Sequence, residues 1–198
     1  MKILNLYCGI GGNRKLWNGD VEVTAVEIDS EIAKVYQELF PKDNVIIADA
    51  HEFLLQHFKE FDFIWSSLPC PSHSKLRLSH PESLMFPDMK LYEEIIFLNH
   101  FFKGKWIVEN VDPYYEPLII PTIKLDRHLF WSNFKIENFE LEKSKRDVSR
   151  DTKEGLAEFK NIDLSKFEIK NKRLLLRNAV NPKIAEYIFK EMLKDVEN

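Results

Sequence analysis

Five short, almost uninterrupted apolar runs constrain this chain more than any other feature: Ile3 to Tyr7, Val23 to Ile28, Val45 to Ala48, Phe61 to Ser66 and Trp106 to Val108. Strands that are apolar on both sides must be covered on both faces, and here helix-length patterns separate them. A short helix is expected from Asn13. Asp29 or Ser30 can cap a second, with Ile32, Val35, Tyr36 and Leu39 at helical spacing before Pro41 stops it. Asp49 can cap a third through Phe58, and a fourth is expected over Met89 to Phe102. The pattern predicts an α/β fold with an open, doubly wound, mostly parallel sheet. In such sheets ligands bind outside the carboxyl ends of the strands. Gly9 to Gly12, Glu27, Asp49, Pro69-Cys70 and Glu109-Asn110 all fall at those ends.

After Asp112 the pattern changes. Arg127 to Phe134 and Lys135 to Leu141 read as a hairpin turning at Ser132-Asn133. Lys143 to Lys170 is polar, basic and weakly patterned, and Val180 to Leu193 reads as an amphipathic helix with Pro182 in its first turn. The 198 residues suit one domain. No apolar stretch approaches the ~20 residues of a membrane span. Two cysteines cannot form a disulfide framework, and the first residues lack a signal-peptide core, so a reducing cytoplasm is expected. The protein is expected to be a monomer. The formal charge of −4 argues against a nucleic-acid partner only if it is evenly spread. It is not: Lys143 to Arg177 holds 11 Lys and Arg against 6 Asp and Glu, a local +5 that leaves −9 on the remainder.

Three of the six glycines lie in Tyr7-Cys8-Gly9-Ile10-Gly11-Gly12, between a strand and a helix. Glycines there let backbone approach a ligand, although a tight turn needs none. The third glycine of a dinucleotide fingerprint is missing, which favours a smaller adenosine-containing cofactor. Glu27 can accept from ribose hydroxyls or serve the next helix's dipole. Asp49 can act as a cap without any ligand. Cys70, flanked by Pro69 and Pro71, is a candidate nucleophile whose pKa His73, Lys75 or Arg77 could lower. No CxxC or HxxxH spacing supports zinc. Glu109-Asn110 is either a turn or an acid beside that thiol.

The ordered set LNLYCGIGG, VEID, DAH, PCPSHS, LYEE, VENV and RNAV resembles the motif series of the DNA (cytosine-5-)-methyltransferases, from residue 3 to about 190. The resemblance implies a Rossmann-like methyltransferase fold divided as a catalytic core (1–134), a reduced target-recognition segment (135–172) and a C-terminal motif and helix returning to the core (173–198). It implies S-adenosylmethionine as cofactor. Tyr7, Gly9, Gly11 and Gly12 would hold its amino-acid end, with Tyr7 where the family usually has phenylalanine. Glu27 would bind the ribose, Ile28 would pack on the adenine, and Asp49 and Ala50 would read its edge. Pro69 and Leu91 would line the pocket, and Asn178 and Val180 would close it, after Arg177 where the family has glycine.

The implied chemistry is addition of the Cys70 thiolate to carbon 6 of a flipped cytosine, with Glu109 at ring nitrogen 3. The family's arginine pair is only partly present, and Arg127 takes its role near the base. Lys75, Arg77, Lys143, Lys145 and Arg146 are the candidate nucleic-acid contacts. So small a recognition segment offers little surface for reading bases, and short or relaxed sequence specificity is expected. DNA is the expected partner. RNA is the alternative, because a branch of this family methylates tRNA, and a third reading is a catalytically silent homologue that only binds nucleic acid or cofactor.

Overall fold

The structure is a computed structural model that describes residues 1–75, 78, 85–137 and 151–197. Its centre is a seven-stranded sheet of β1 (Lys2–Leu6), β2 (Glu22–Glu27), β3 (Asn44–Ile47), β4 (Phe63–Ser67), β5 (Lys105–Val111), β6 (Ile123–Leu125) and β7 (His128–Ser132). The order is β3-β2-β1-β4-β5-β7-β6. The first five strands are parallel, and β7 runs antiparallel to both β5 and β6. Between them lie α1 (Ser30–Leu39), α2 (Ala50–His57) and α3 (Lys90–Phe101), followed by α4 (Lys153–Lys160), α5 (Lys172–Asn178) and α6 (Pro182–Glu197). Among the described residues no helix is long and apolar enough to cross a membrane.

The alternating side chains of each strand sort onto two covered faces. Ile3, Phe63, Trp65, Ile107 and Phe130 pack under α6 against Ile184, Ile188 and Phe189, with Trp17 stacked on Phe189 at 5.3 Å. Leu4, Leu6, Ile64, Val108 and Leu129 pack on the opposite face with Leu54 of α2 and Leu91, Ile95 and Leu98 of α3. This is the doubly wound, mostly parallel arrangement expected from the apolar runs. Asp29 and Asp49 cap α1 and α2, each accepting from two backbone N–H groups.

The second half corrects three expectations. The hairpin is formed by β6 and β7, not by residues on either side of Ser132-Asn133. Its turn is Asp126-Arg127, with Asp126 at φ +55°, and Lys124 points out between buried Ile123 and Leu125. Asn133 instead holds the start of β5, accepting from Trp106 N–H at 2.9 Å and donating to the Gly104 carbonyl at 2.9 Å. Next, β5 runs on to Val111, because β7 pairs with it through Val111 and places Phe130 opposite Glu109. Glu109 therefore lies inside the strand rather than after it. Finally, the weakly patterned segment contains α4. Leu156 together with Ile162, Leu164 and Phe167 shares a third core with Ile10, Val35 and Leu176 of α5. Residues 138–150, which include Lys143, Lys145 and Arg146, lie outside the described residues, as does Arg77.

Candidate active site

The carboxyl ends of β1, β2, β3 and β4 are in register: Leu6 pairs with Val26 and Ser66, and Glu27 pairs with Ile47. Past β1 the chain turns sharply. Tyr7, Gly9 and Gly11 all have positive φ (53°, 53° and 74°). A side chain at Gly9 would meet nothing within 4 Å, so the backbone there faces open space. A Cβ at Gly11 would lie 2.1 Å from the Phe40 ring, and one at Gly12 would lie 2.5 Å from the Val180 carbonyl oxygen. Two glycines are thus required by close packing, while Gly9 leaves its backbone accessible.

Glu27 closes the turn from β2. Its two oxygens accept from Gly9 N–H and Asp29 N–H, each at 3.0 Å. Lone pairs remain on both oxygens for further donors. Beside it Ile28 is 67% exposed, an unusual degree of exposure for an isoleucine that follows a buried strand. Asp49 is exposed and caps α2 through His51 and Glu52 N–H, with Ala50 buried beneath it. Gly9, Glu27, Ile28 and Asp49 therefore line one edge that suits an adenosine-like group: an acid for a diol, an apolar side chain for a ring, and open backbone. Val180 reaches this edge where Ala179 and Val180 press on Gly12, and Asn178 precedes them as the last residue of α5. Leu91 is buried in the core behind the edge, and Pro69 is exposed.

The strand order reverses between β1 and β4, which opens a crevice outside their carboxyl ends, and on its far side Cys70 begins a turn in which its carbonyl accepts from His73 and Ser74 N–H at 3.0 and 3.1 Å. Asn110 donates to the Leu68 carbonyl at 3.2 Å and so ties this loop to β5. Burial pushes the half-buried Cys70 thiol up, and the Glu109 carboxylate adds to that, against Arg127 and Arg177, which lower it. The expectation that His73 or Lys75 activates the thiol is not met. His73 Nδ1 lies 2.7 Å from the Tyr115 hydroxyl, and burial drives its pKa down, so it is a neutral prop for the 113–118 segment. Lys75 pairs with Asp112 at 2.5 Å, an acid it shares with Lys124.

Burial raises the Glu109 carboxyl to about 7, against opposing effects from a Ser67 hydrogen bond, Arg127 and Lys160. His128 Nε2 is 3.5 Å from it, and burial keeps that imidazole neutral. A carboxyl near 7 holds its proton about half the time at neutral pH, which suits proton donation and retrieval. Arg127 Nη2 donates to the Arg177 carbonyl, joining the β6–β7 turn to the end of α5.

Sequence reasoning missed Glu94. This α3 carboxylate is fully buried and accepts from Ser66 Oγ and Tyr7 Oη, both at 2.7 Å, with His51 Nδ1 at 3.1 Å. Its signal was present, since Leu91, Glu94, Ile95 and Leu98 fall on one helical face and an acid among apolar residues requires partners. Lys160, also missed, carried a weaker signal: one turn after Leu156 on a short helix.

Several solved structures resemble this chain in part. A DNMT2 variant from Spodoptera frugiperda is 27% identical, with a TM-score of 0.43, over 56% of this chain. The chain spans 35% of that protein's length. A SAM-dependent methyltransferase from Agrobacterium tumefaciens is 13% identical, with a TM-score of 0.41, over 58% of this chain and 40% of its own. A hypothetical protein of Thermus thermophilus is 15% identical, with a TM-score of 0.47, over 66% of this chain and 73% of its own. No curated protein matches. The sequence profile of the C-5 cytosine-specific DNA methylases matches residues 1–113, the stretch that carries the glycine turn, Glu27, Cys70 and Glu109. Matched over more than half its length, the chain belongs to the C-5 cytosine-specific DNA methylase family.

Proposed function

We propose that this protein transfers a methyl group from S-adenosylmethionine to carbon 5 of cytosine in DNA through a covalent Cys70 adduct. One observation carries the reading. Glu109, buried and raised to about 7, acts on the Cys70 thiol within a crevice whose other edge suits an adenosine. Gly9, Gly11 and Gly12 with Tyr7 hold the cofactor's amino-acid end, Glu27 its ribose, and Ile28, Asp49 and Ala50 its adenine. Pro69, Leu91, Asn178 and Val180 complete the pocket. When bound, the cofactor supplies an electrophilic methyl group on a sulfonium.

The two reacting side chains support each other. Burial and then the Glu109 carboxylate raise the Cys70 pKa, so a protonated Glu109 removes the second of these and leaves Arg127 and Arg177 to work against burial alone. The thiolate adds to carbon 6 of the flipped cytosine. Glu109 gives its proton to ring nitrogen 3 as charge develops there, which leaves carbon 5 nucleophilic. After methylation solvent water takes the carbon 5 proton, its bonding pair re-forms the 5,6 double bond, the carbon 6–sulfur pair leaves with Cys70 as thiolate, and nitrogen 3 returns its proton to Glu109. Lys75, Arg77, Lys143, Lys145 and Arg146 hold the nucleic-acid backbone, with residues 135–172 as a reduced recognition segment.

Duplex DNA and tRNA, each carrying 5-fluorocytosine, are incubated with the protein and labelled S-adenosylmethionine. A labelled covalent complex with DNA, absent in Cys70→Ala, is the expected result. A complex with tRNA alone moves the substrate to RNA, and no complex with either overturns the reading.

A further inference from the structure

Beyond the residues assigned above, one charged side chain is buried where the two edges of the crevice meet. Lys160, the last residue of α4, is 3% exposed, and its Nζ donates to the Ala179 carbonyl. An ammonium taken out of water costs several kcal/mol unless it finds acceptors and opposite charge, so such a position is maintained against a penalty. The segment it grips is short and heavily used. Arg127 holds the Arg177 carbonyl two residues before Ala179, and Ala179 and Val180 lie so close to Gly12 that no side chain fits between them. The strap is thus pinned from three sides: by the β6–β7 turn, by α4 and by the glycine turn.

We propose that Lys160 is a positioning residue of the methyl-transfer site, which holds the Asn178–Val180 strap against the glycine turn while its charge acts on Glu109. This rests on the function proposed above. The inference extends that reading to α4, which lies in the segment between the hairpin and the C-terminal motif.

The groups facing Glu109 come from every element around it. Ser67 of β4 lies opposite it, Cys70 stands on the loop after β4, Arg127 occupies the β6–β7 turn, neutral His128 lies on β7, and Lys160 projects from α4. Asp126 and Glu109 are the acids that favour the charged form of Lys160, against burial and Arg127, which bring its pKa down to about 8. Removing the ammonium leaves Arg127 as the cation that still lowers Glu109, so the carboxyl must titrate at higher pH.

Lys160→Met and Lys160→Arg are compared with wild type in two measurements. The first follows the Glu109 carboxyl by 13C NMR without cofactor or substrate, assigned by its loss in Glu109→Gln. The second measures S-adenosylmethionine affinity by calorimetry. In Lys160→Met the Glu109 midpoint is expected to rise from about 7, and cofactor affinity to fall about tenfold, the value of one charge-assisted hydrogen bond. Lys160→Arg is expected to restore the midpoint. A folded Lys160→Met with an unchanged midpoint and unchanged affinity overturns the proposal. So does a shifted midpoint that Lys160→Arg fails to restore, because packing rather than charge then sets it. If Lys160→Met does not fold, wild type decides: a second inflection of the Glu109 13C resonance at the pH where 15N NMR finds Lys160 losing its proton supports the proposal, and its absence overturns it. The carboxyl titration needs no turnover, so an inactive wild type with a shifted Lys160→Met midpoint refutes the proposed function and leaves the link from Lys160 to Glu109 intact.

Discussion

Two glutamates, Glu94 and Glu109, are buried on opposite sides of the same sheet, and their surroundings differ in one respect. Glu94 has donors from three elements: Tyr7 after β1, Ser66 on β4 and His51 on α2. Glu109 lies opposite Ser67 on the neighbouring strand, with a neutral imidazole at 3.5 Å and otherwise charges that act from a distance. Adjacent serines serve them because neighbouring residues on a strand point to opposite faces. Ser66 faces α3, and Ser67, accepting from Trp65 Nε1 at 2.8 Å, faces the crevice. A carboxylate saturated with donors is a structural joint. One short of donors keeps its proton near neutral pH, and that proton is available for chemistry.

Exchanging the two acids for neutral residues sets the comparison at its widest. Glu109→Gln is expected to lower kcat by ~10²–10⁴-fold, the usual worth of a positioned acid, with the fold intact by circular dichroism. If the reading is inverted, the larger kinetic loss belongs to Glu94→Gln. Removing the Glu94 side chain acts on stability instead. Glu94→Ala strands the Tyr7 hydroxyl, Ser66 and His51, and urea denaturation should register a loss of about 3–5 kcal/mol.

The pH dependence of stability gives a further reading on Glu109. The folded Glu109 carboxyl lies near 7, above its ordinary 4.5, so the native state binds the extra proton between those values. Stability therefore falls as pH rises from about 4.5 through 7 and is flat above. The contribution of this one group is about 3 kcal/mol. Glu109→Gln should lose that slope, and urea midpoints for both proteins at pH 5 and pH 8 read it directly. An equal slope in the variant places the proton elsewhere.

The smallest effect tests the joint itself. Tyr7→Phe removes one donor from Glu94 and is expected to cost about 1 kcal/mol in the same denaturation. If the hydroxyl serves only the fold, cofactor affinity stays within a factor of two to three, on the order of ~0.5 kcal/mol.

The parallel half of the fold was legible for a physical reason. Strands covered on both faces must be apolar throughout, and Ile3 to Tyr7 or Phe61 to Ser66 cannot be read otherwise. The caps Asp29 and Asp49 announced α1 and α2, and the residues past each strand end pointed to the crevice. The hairpin was misplaced because β6 is three residues long and its turn depends on Asp126 adopting a positive φ. Helix α4 was missed because its apolar residues make sense only against Ile10, Val35 and Leu176, which are distant in sequence. Glu94 was legible as an anomaly on an apolar helical face, whereas Lys160 was one more lysine in a basic stretch.

By itself the sequence determined the sheet, the strand ends and the residue types placed there, because apolar periodicity and capping are local properties. Only the tertiary structure decided which buried acid is saturated with donors and which is short of them, and which cations bear on the cysteine. Proton affinity depends on how many donors and charges arrive from distant elements, and arrival is set by packing. His73 stands three residues from Cys70 and props Tyr115. Arg127 and Arg177, more than fifty residues away in the chain, are the cations that act on the thiol.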